Sequence, residues 1–86
     1  MNKMYVITST DKYSDGDIVF DVIGVYDSKD LATQQLERIK QHDIEYYKDN
    51  GWEDLDIKYS VNGFVFDFFD EFTRYEIMEK DLNKEI

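Results

Sequence analysis

Between Leu55 and Phe69 the chain alternates. Leu55, Ile57, Tyr59 and Val61 are separated by Asp56, Lys58 and Ser60, the period of two that marks a strand with one apolar face. Asn62-Gly63 follows, the dipeptide that best tolerates positive φ at both centres of a type I′ turn. Phe64, Phe66 and Phe68 then alternate with Val65, Asp67 and Phe69. A two-residue Asn62-Gly63 loop sets Val61 opposite Phe64, Tyr59 opposite Phe66 and Ile57 opposite Phe68. The six side chains share one face, and on the other Lys58 falls opposite Asp67, a favourable cross-strand pair. A lone hairpin is marginal in water, so the aromatic row reads as core awaiting further strands or a helix.

The same reading extends outward. Met4–Thr10 is a short strand, with Met4, Val6 and Thr8 on one side and Tyr5 and Ile7 on the other. Asp11–Asp17 is a polar loop around the turn signal Asp15-Gly16-Asp17. Ile18–Tyr26 is β-branched and aromatic, and apolar on both faces apart from Asp21. That pattern places it centrally, antiparallel to the first strand. Gly24 marks a bulge or a close helix approach. Ser28 is the expected N-cap of a helix, with Asp30 in the first turn. Ala32, Leu36 and Ile39 form its apolar stripe, continued by Tyr46, and Asp43 interrupts it. Gln34, Glu37, Lys40 and Gln41 face outward. Asn50-Gly51 stops the helix, and Trp52 packs back on its last turn. After the polar break Asp70-Glu71, Phe72–Leu82 reads as a last strand, Tyr75, Ile77 and Glu79 on one side of it. The prediction is one α+β domain over residues 1–86. Its antiparallel sheet has four to five strands, in the order β-β-α-β-β-β, with one helix packed on one face.

Composition adds a sign. Among 86 residues there are 20 Asp and Glu against 10 Lys and Arg, a net charge of −10. Direct binding of nucleic acid is disfavoured, since phosphates would be repelled, and a base-stacking role for the Phe row is disfavoured with it. No cysteine is present, which removes disulfides and thiolate metal sites. The start MNKMYVITST has too short an apolar run for a signal peptide, and no stretch approaches a membrane span. The expected location is the cytoplasm.

Candidate chemistry is sparse. His42 is the single histidine and reads as a surface helix residue. Asp11, Asp15, Gly16 and Ile18 fit positions of a calcium loop. Tyr13 and Val22 stand where two required ligands would be, so the stretch reads as an Asp/Gly turn. No nucleophile-elbow, phosphate-loop or dinucleotide pattern occurs. The expectation is a protein without catalysis, metal or cofactor.

Tyr5-Val6-Ile7, then Val22–Ser28 running into a helix with Ala32, and Tyr75-Glu76-Ile77 with Glu79 and Leu82 resemble a family of small uncharacterised α+β domains of bacteria and their phages. The resemblance implies the fold and carries over no functional residue. The chain departs from it in a long insertion, about Ile44 to Glu71, which holds the aromatic hairpin. By size and charge the chain also looks like phage inhibitors that block host defence nucleases.

Acidity is the remaining lead. Asp49, Glu53, Asp54 and Asp56 cluster where the helix ends and the hairpin starts, and Asp67, Asp70 and Glu71 where the hairpin ends. Carboxylates at i and i+2 of a strand lie about 6.6 Å apart, of the order of the spacing between phosphates. Such a row suits a cationic nucleic-acid groove. The expected partner is therefore a basic, nucleic-acid-binding protein, a nuclease or effector complex. The expected activity is inhibition of the DNA-mimic, anti-CRISPR type, in the cytoplasm of the host cell. The alternative is a regulatory protein-binding domain, homodimeric, whose acidity serves solubility.

Overall fold

Two hairpins and a strand between them build the sheet. The computed structural model describes residues 3–52 and 55–81. Its elements are β1 (Lys3–Lys12), β2 (Ile18–Tyr26), α1 (Lys29–Asp49), β3 (Asp56–Ser60), β4 (Gly63–Phe68) and β5 (Glu71–Asp81). The fold is α+β, in the expected order, with one five-stranded antiparallel sheet arranged β2-β1-β5-β4-β3. β5 pairs with β1 from Lys3↔Asp81 to Lys12↔Phe72, and with β4 from Gly63↔Glu76 to Phe68↔Glu71.

β2 is therefore an edge strand, not the central one. Its pairing with β1 breaks between Ile7 and Thr8, leaving Ile23 as an unpaired bulge beside Gly24. The central place belongs to β5, whose Arg74, Glu76 and Lys80 gave no such hint. They sit on the sheet face away from the helix, in register with Thr10, Thr8 and Met4. An antiparallel sheet can leave one face to water, so a strand's polarity reports which faces are covered rather than its place in the order.

The second hairpin forms with its register moved by two residues. Ile57 pairs with Phe66, Tyr59 with Phe64 and Ser60 with Gly63, so the turn is Val61-Asn62. Neither Asn62 nor Gly63 takes positive φ. Gly63 serves another purpose: a Cβ there would collide with the backbone carbonyl oxygen of Tyr75 on β5. The Asn62 carbonyl accepts from the Ile77 N–H at 2.8 Å. An even shift preserves the faces, so Phe64, Phe66 and Phe68 still point toward the helix. Val61 does not join them; it is fully exposed in the turn, and Tyr59 on the edge strand is 67% exposed.

The helix ends follow the sequence closely. Ser28 is extended, and its hydroxyl accepts from the Leu31 N–H at 3.4 Å. At the other end Gly51 takes φ +91. Its N–H bonds the Lys48 carbonyl, and the Trp52 N–H bonds that of Tyr47, the paired bonds of a Schellman motif. Ala32 and Leu36 are buried, while Gln34, Glu37 and Gln41 are exposed. Lys40 differs, being half-buried, with its Nζ 5.2 Å from the centre of the Tyr59 ring and 3.0 Å from Glu37. The stripe continues through Tyr47, not Tyr46. At about 100° per residue, position 47 returns to within about 20° of Leu36, whereas position 46 is about 80° away. Tyr47 meets Phe66 and Phe68 at ring-centre distances of 5.4 and 4.8 Å. Asp43 lies on the same line, and the helix runs through it unbroken because the Tyr75 hydroxyl donates to it at 2.7 Å.

Phe66 has no exposed surface, so Phe66→Ala is expected to cost about 3–5 kcal/mol in urea unfolding. Gly63→Ala should cost at least about 1–3 kcal/mol, since the obstructing atom is backbone and cannot rotate aside. Ser28→Ala should cost about 0.5–1 kcal/mol, the low end for a cap with so long a bond.

Candidate functional site

One row of paired residues crosses the sheet near its end. Ile18 faces Lys12, Lys12 faces Phe72, Phe72 faces Asp67, and Asp67 faces Asp56. Beyond this row lie the β1–β2 loop and the Phe69-Asp70 turn. The Ser14 N–H donates to Glu71 Oε1 at 3.3 Å, which ties that loop to the start of β5. The end of α1 arrives at the same place: the Trp52 ring lies 5.0 Å from that of Phe68. A cleft of about 460 Å³ opens here, lined by Asp11, Tyr13, Asn50, Trp52 and Glu71 among others.

The strand pairing and the end of α1 thus bring Asp49, Asp56, Asp67, Asp70 and Glu71 to one end of the molecule, although they come from four elements and the β4–β5 turn. Glu53 and Asp54 lie outside the described residues. Asp49, Asp56 and Asp70 are exposed. Asp67 is engaged: Lys58 Nζ reaches its Oδ2 at 2.9 Å, the expected ion pair, made diagonally because Lys58 itself faces Val65. The Asp67 carboxylate, by hydrogen bond and charge, raises the Lys58 pKa. Glu71 spends one oxygen on the Ser14 N–H.

Sequence reasoning missed three members of this end. Asp15 and Asp17 sit in the β1–β2 loop and Asp11 just before it; in the sequence Asp11 and Asp15 read as partial calcium positions and Asp15 and Asp17 as a turn. Their proximity to Glu71 depends on the β1–β5 register, which no local pattern encodes. The loop itself is the expected Asp/Gly turn, with Gly16 at φ +95 and Asp15 Oδ1 accepting from the Asp17 N–H at 3.0 Å.

Behind the cleft, between helix and sheet, lies a second polar group. Tyr75 donates to Asp43, and the Thr73 hydroxyl donates to Asp11 Oδ1 at 2.7 Å. Burial first, then the hydrogen bond and charge of Asp43, pushes the Tyr75 phenol far above its ordinary range. Burial likewise raises Tyr47, against a smaller opposing effect of its bond to Thr73. Both phenols are held neutral, and that of Tyr75 donates to Asp43. His42 points outward, with its imidazole largely exposed and its Nδ1 3.4 Å from Asp43 Oδ1. Among the described residues no three His, Asp or Glu side chains gather to hold a metal ion, and no helix is long and apolar enough to cross a membrane.

Tyr47 and Tyr75 set an alkaline limit. The unfolded phenols lose their protons near the ordinary value of 10.0, while the folded ones retain them to higher pH. Their contribution is full below pH 10 and declines as pH rises beyond it. Urea midpoints measured from about pH 8 to pH 11 should fall at the alkaline end, and Tyr75→Phe should flatten that fall.

Compared with protein-family models, curated proteins and solved structures, the chain matches none, so its own geometry carries the functional reading.

Proposed function

We propose that the protein is an acidic, non-catalytic inhibitor that occupies the nucleic-acid-binding groove of a basic partner. The observation that supports this is the gathering of Asp49, Asp56, Asp70 and Glu71, with the β1–β2 loop carboxylates, at one end of a small sheet. Asp56 on β3 and Glu71 on β5 are fixed relative to one another by pairing through β4, and Asp70 sits in the turn between β4 and β5. A cationic groove built for phosphates meets a similar field there. The small size and net charge of −10 suit a counter-defence, anti-CRISPR role, exercised in the host cytoplasm against a nuclease or effector complex. Asp67 contributes least, because Lys58 already answers its charge.

Immobilised protein should capture such a partner from host lysate, and the captured pair then allows a direct test. Association should weaken steeply with salt, since screening acts over about 8 Å at physiological ionic strength. Charge reversal at Asp56 and Asp70 should slow association while leaving the melting temperature nearly unchanged, because steering acts on the encounter rate. DNA or RNA bound beforehand should exclude the protein. A partner that binds both at once with unaltered affinities would show that the groove is not the target.

A further inference from the structure

The cleft where α1 ends has an aromatic wall. Tyr46, Tyr47, Phe68 and Trp52 line it in a continuous chain of ring contacts. Ring centres lie 5.6 Å apart from Tyr46 to Tyr47, 4.8 Å from Tyr47 to Phe68 and 5.0 Å from Phe68 to Trp52. The inner rings, Tyr47 and Phe68, pack against the core. The outer ones do not: Tyr46 and Trp52 remain 58% and 48% exposed. Rings held by their neighbours and still half open leave aromatic surface for whatever enters the cleft. Two carboxylates give that space its sign. Asp11 and Glu71 line it as well, both half-buried. One oxygen of Asp11 accepts from the Thr73 hydroxyl and one of Glu71 from the Ser14 N–H. Neither is ion-paired among the described residues. The lysine of the lining, Lys12, belongs by its strand position to the opposite face of the sheet from Asp11. The Asp11 charge is felt nearby: after burial and the charge of Asp43, it adds to the upward shifts of the Tyr47 and Tyr75 phenols.

We propose that this cleft is a guanidinium site, which holds an arginine side chain stacked on the aromatic wall with its N–H groups turned to Asp11 and Glu71. The combination of rings and carboxylates selects that group. A guanidinium is planar, so it can lie on a ring and direct donors from its rim to carboxylates at the same time. It is also weakly hydrated, and loses little on entering a half-enclosed space. An ammonium is a compact, strongly hydrated point charge, which gains from the carboxylates but less from the rings. A cleft of about 460 Å³ admits one such side chain and leaves room for water. On the inhibitor reading, on which this inference rests for its source of arginine, the side chain belongs to the basic partner. It is then the anchor of the contact, while the exposed carboxylates around it serve the approach.

Trp52 is the single tryptophan of the chain, so its fluorescence reports on the cleft directly. N-acetyl-arginine amide added to the full chain should change that emission saturably, with a dissociation constant on the order of millimolar. N-acetyl-citrulline amide has nearly the same shape without the charge and should leave the emission unchanged. N-acetyl-lysine amide should bind at least about threefold more weakly. Glu71→Gln removes a charge yet keeps an oxygen for the Ser14 N–H, and should weaken the arginine ligand more than about threefold. Asp30→Asn, the same loss of charge at an exposed position in the first turn of α1, should not. Trp52→Leu, followed by amide chemical shifts, should weaken the ligand as Glu71→Gln does, and far-ultraviolet circular dichroism should show both variants folded. Emission indifferent to the arginine ligand overturns the proposal. So does an equal response to the citrulline ligand, equal binding of the lysine ligand, or equal weakening by Asp30→Asn. None of these results touches the inhibitor reading, which competition with DNA or RNA decides. A partner whose arginine fills the cleft while its nucleic acid stays bound removes that reading and leaves this one.

Discussion

A helix of 21 residues is the one layer laid on a five-stranded sheet among the described residues. By standard spacings the sheet is about 19 Å across, and a helix with its side chains is about 10–12 Å wide. The helix cannot cover every strand. It packs over β1, β5 and the end of β2, and large rings bridge the remainder. Tyr47 reaches Phe66 and Phe68, and Phe64 meets Phe66 and Tyr75 at ring-centre distances of 5.4 and 5.3 Å. The aromatic content of the chain answers this shortage of cover. So does the burial pattern: Ile7, Ala32 and Phe66 have no exposed surface, while Tyr59 on the far edge, with the Lys40 side chain over its ring, stays largely exposed.

Much of this was legible from local pattern. β2 begins and ends where its β-branched and aromatic run and the flanking turn residues placed it, and Ser28, Gly51 and Trp52 bound the helix as their chemistry implied. The faces of the second hairpin were also readable, because a period of two survives an even shift. Its register was not. Asn62-Gly63 had two possible uses, a turn at positive φ or a close approach of backbones, and the neighbour that decides between them is Tyr75, distant in sequence. Strand order failed for the same reason. Hydrophobicity on both faces of β2 suggested burial, yet it marks a strand that the single helix leaves largely uncovered. The acidic end was half legible. Its members in the hairpin and at the end of the helix lie close in sequence, while Asp11, Asp15 and Asp17 join only through pairing between β1 and β5.

The molecule divides its surface by chemistry. Negative charge concentrates where loops and strand ends meet, and it stays clear of β2, whose nine residues carry one carboxylate. A net charge of −10 spread evenly would oppose any close contact between copies. Gathered toward one end, it opposes such contact least along β2. Within the core the few polar groups are paired, and the Asp43–Tyr75 and Asp11–Thr73 bonds keep the carboxylates of the helix–sheet layer satisfied.

β5 has a further consequence, in time rather than space. The first hairpin, β1–β2, and the second, β3–β4, are each local and can close early. Neither pairs with the other; β5 alone joins them. It is also the last of the six elements among the described residues. Assembly of the sheet therefore waits for the final strand to insert between two preformed ribbons, and its pairing with β1 closes a loop of some sixty residues (Lys12 to Phe72). Pairings of such long range slow folding. Until β5 arrives, the facing edges of β1 and β4 stand open. The interval between making the two hairpins and locking them together is when this chain is most exposed to pairing with the wrong strand.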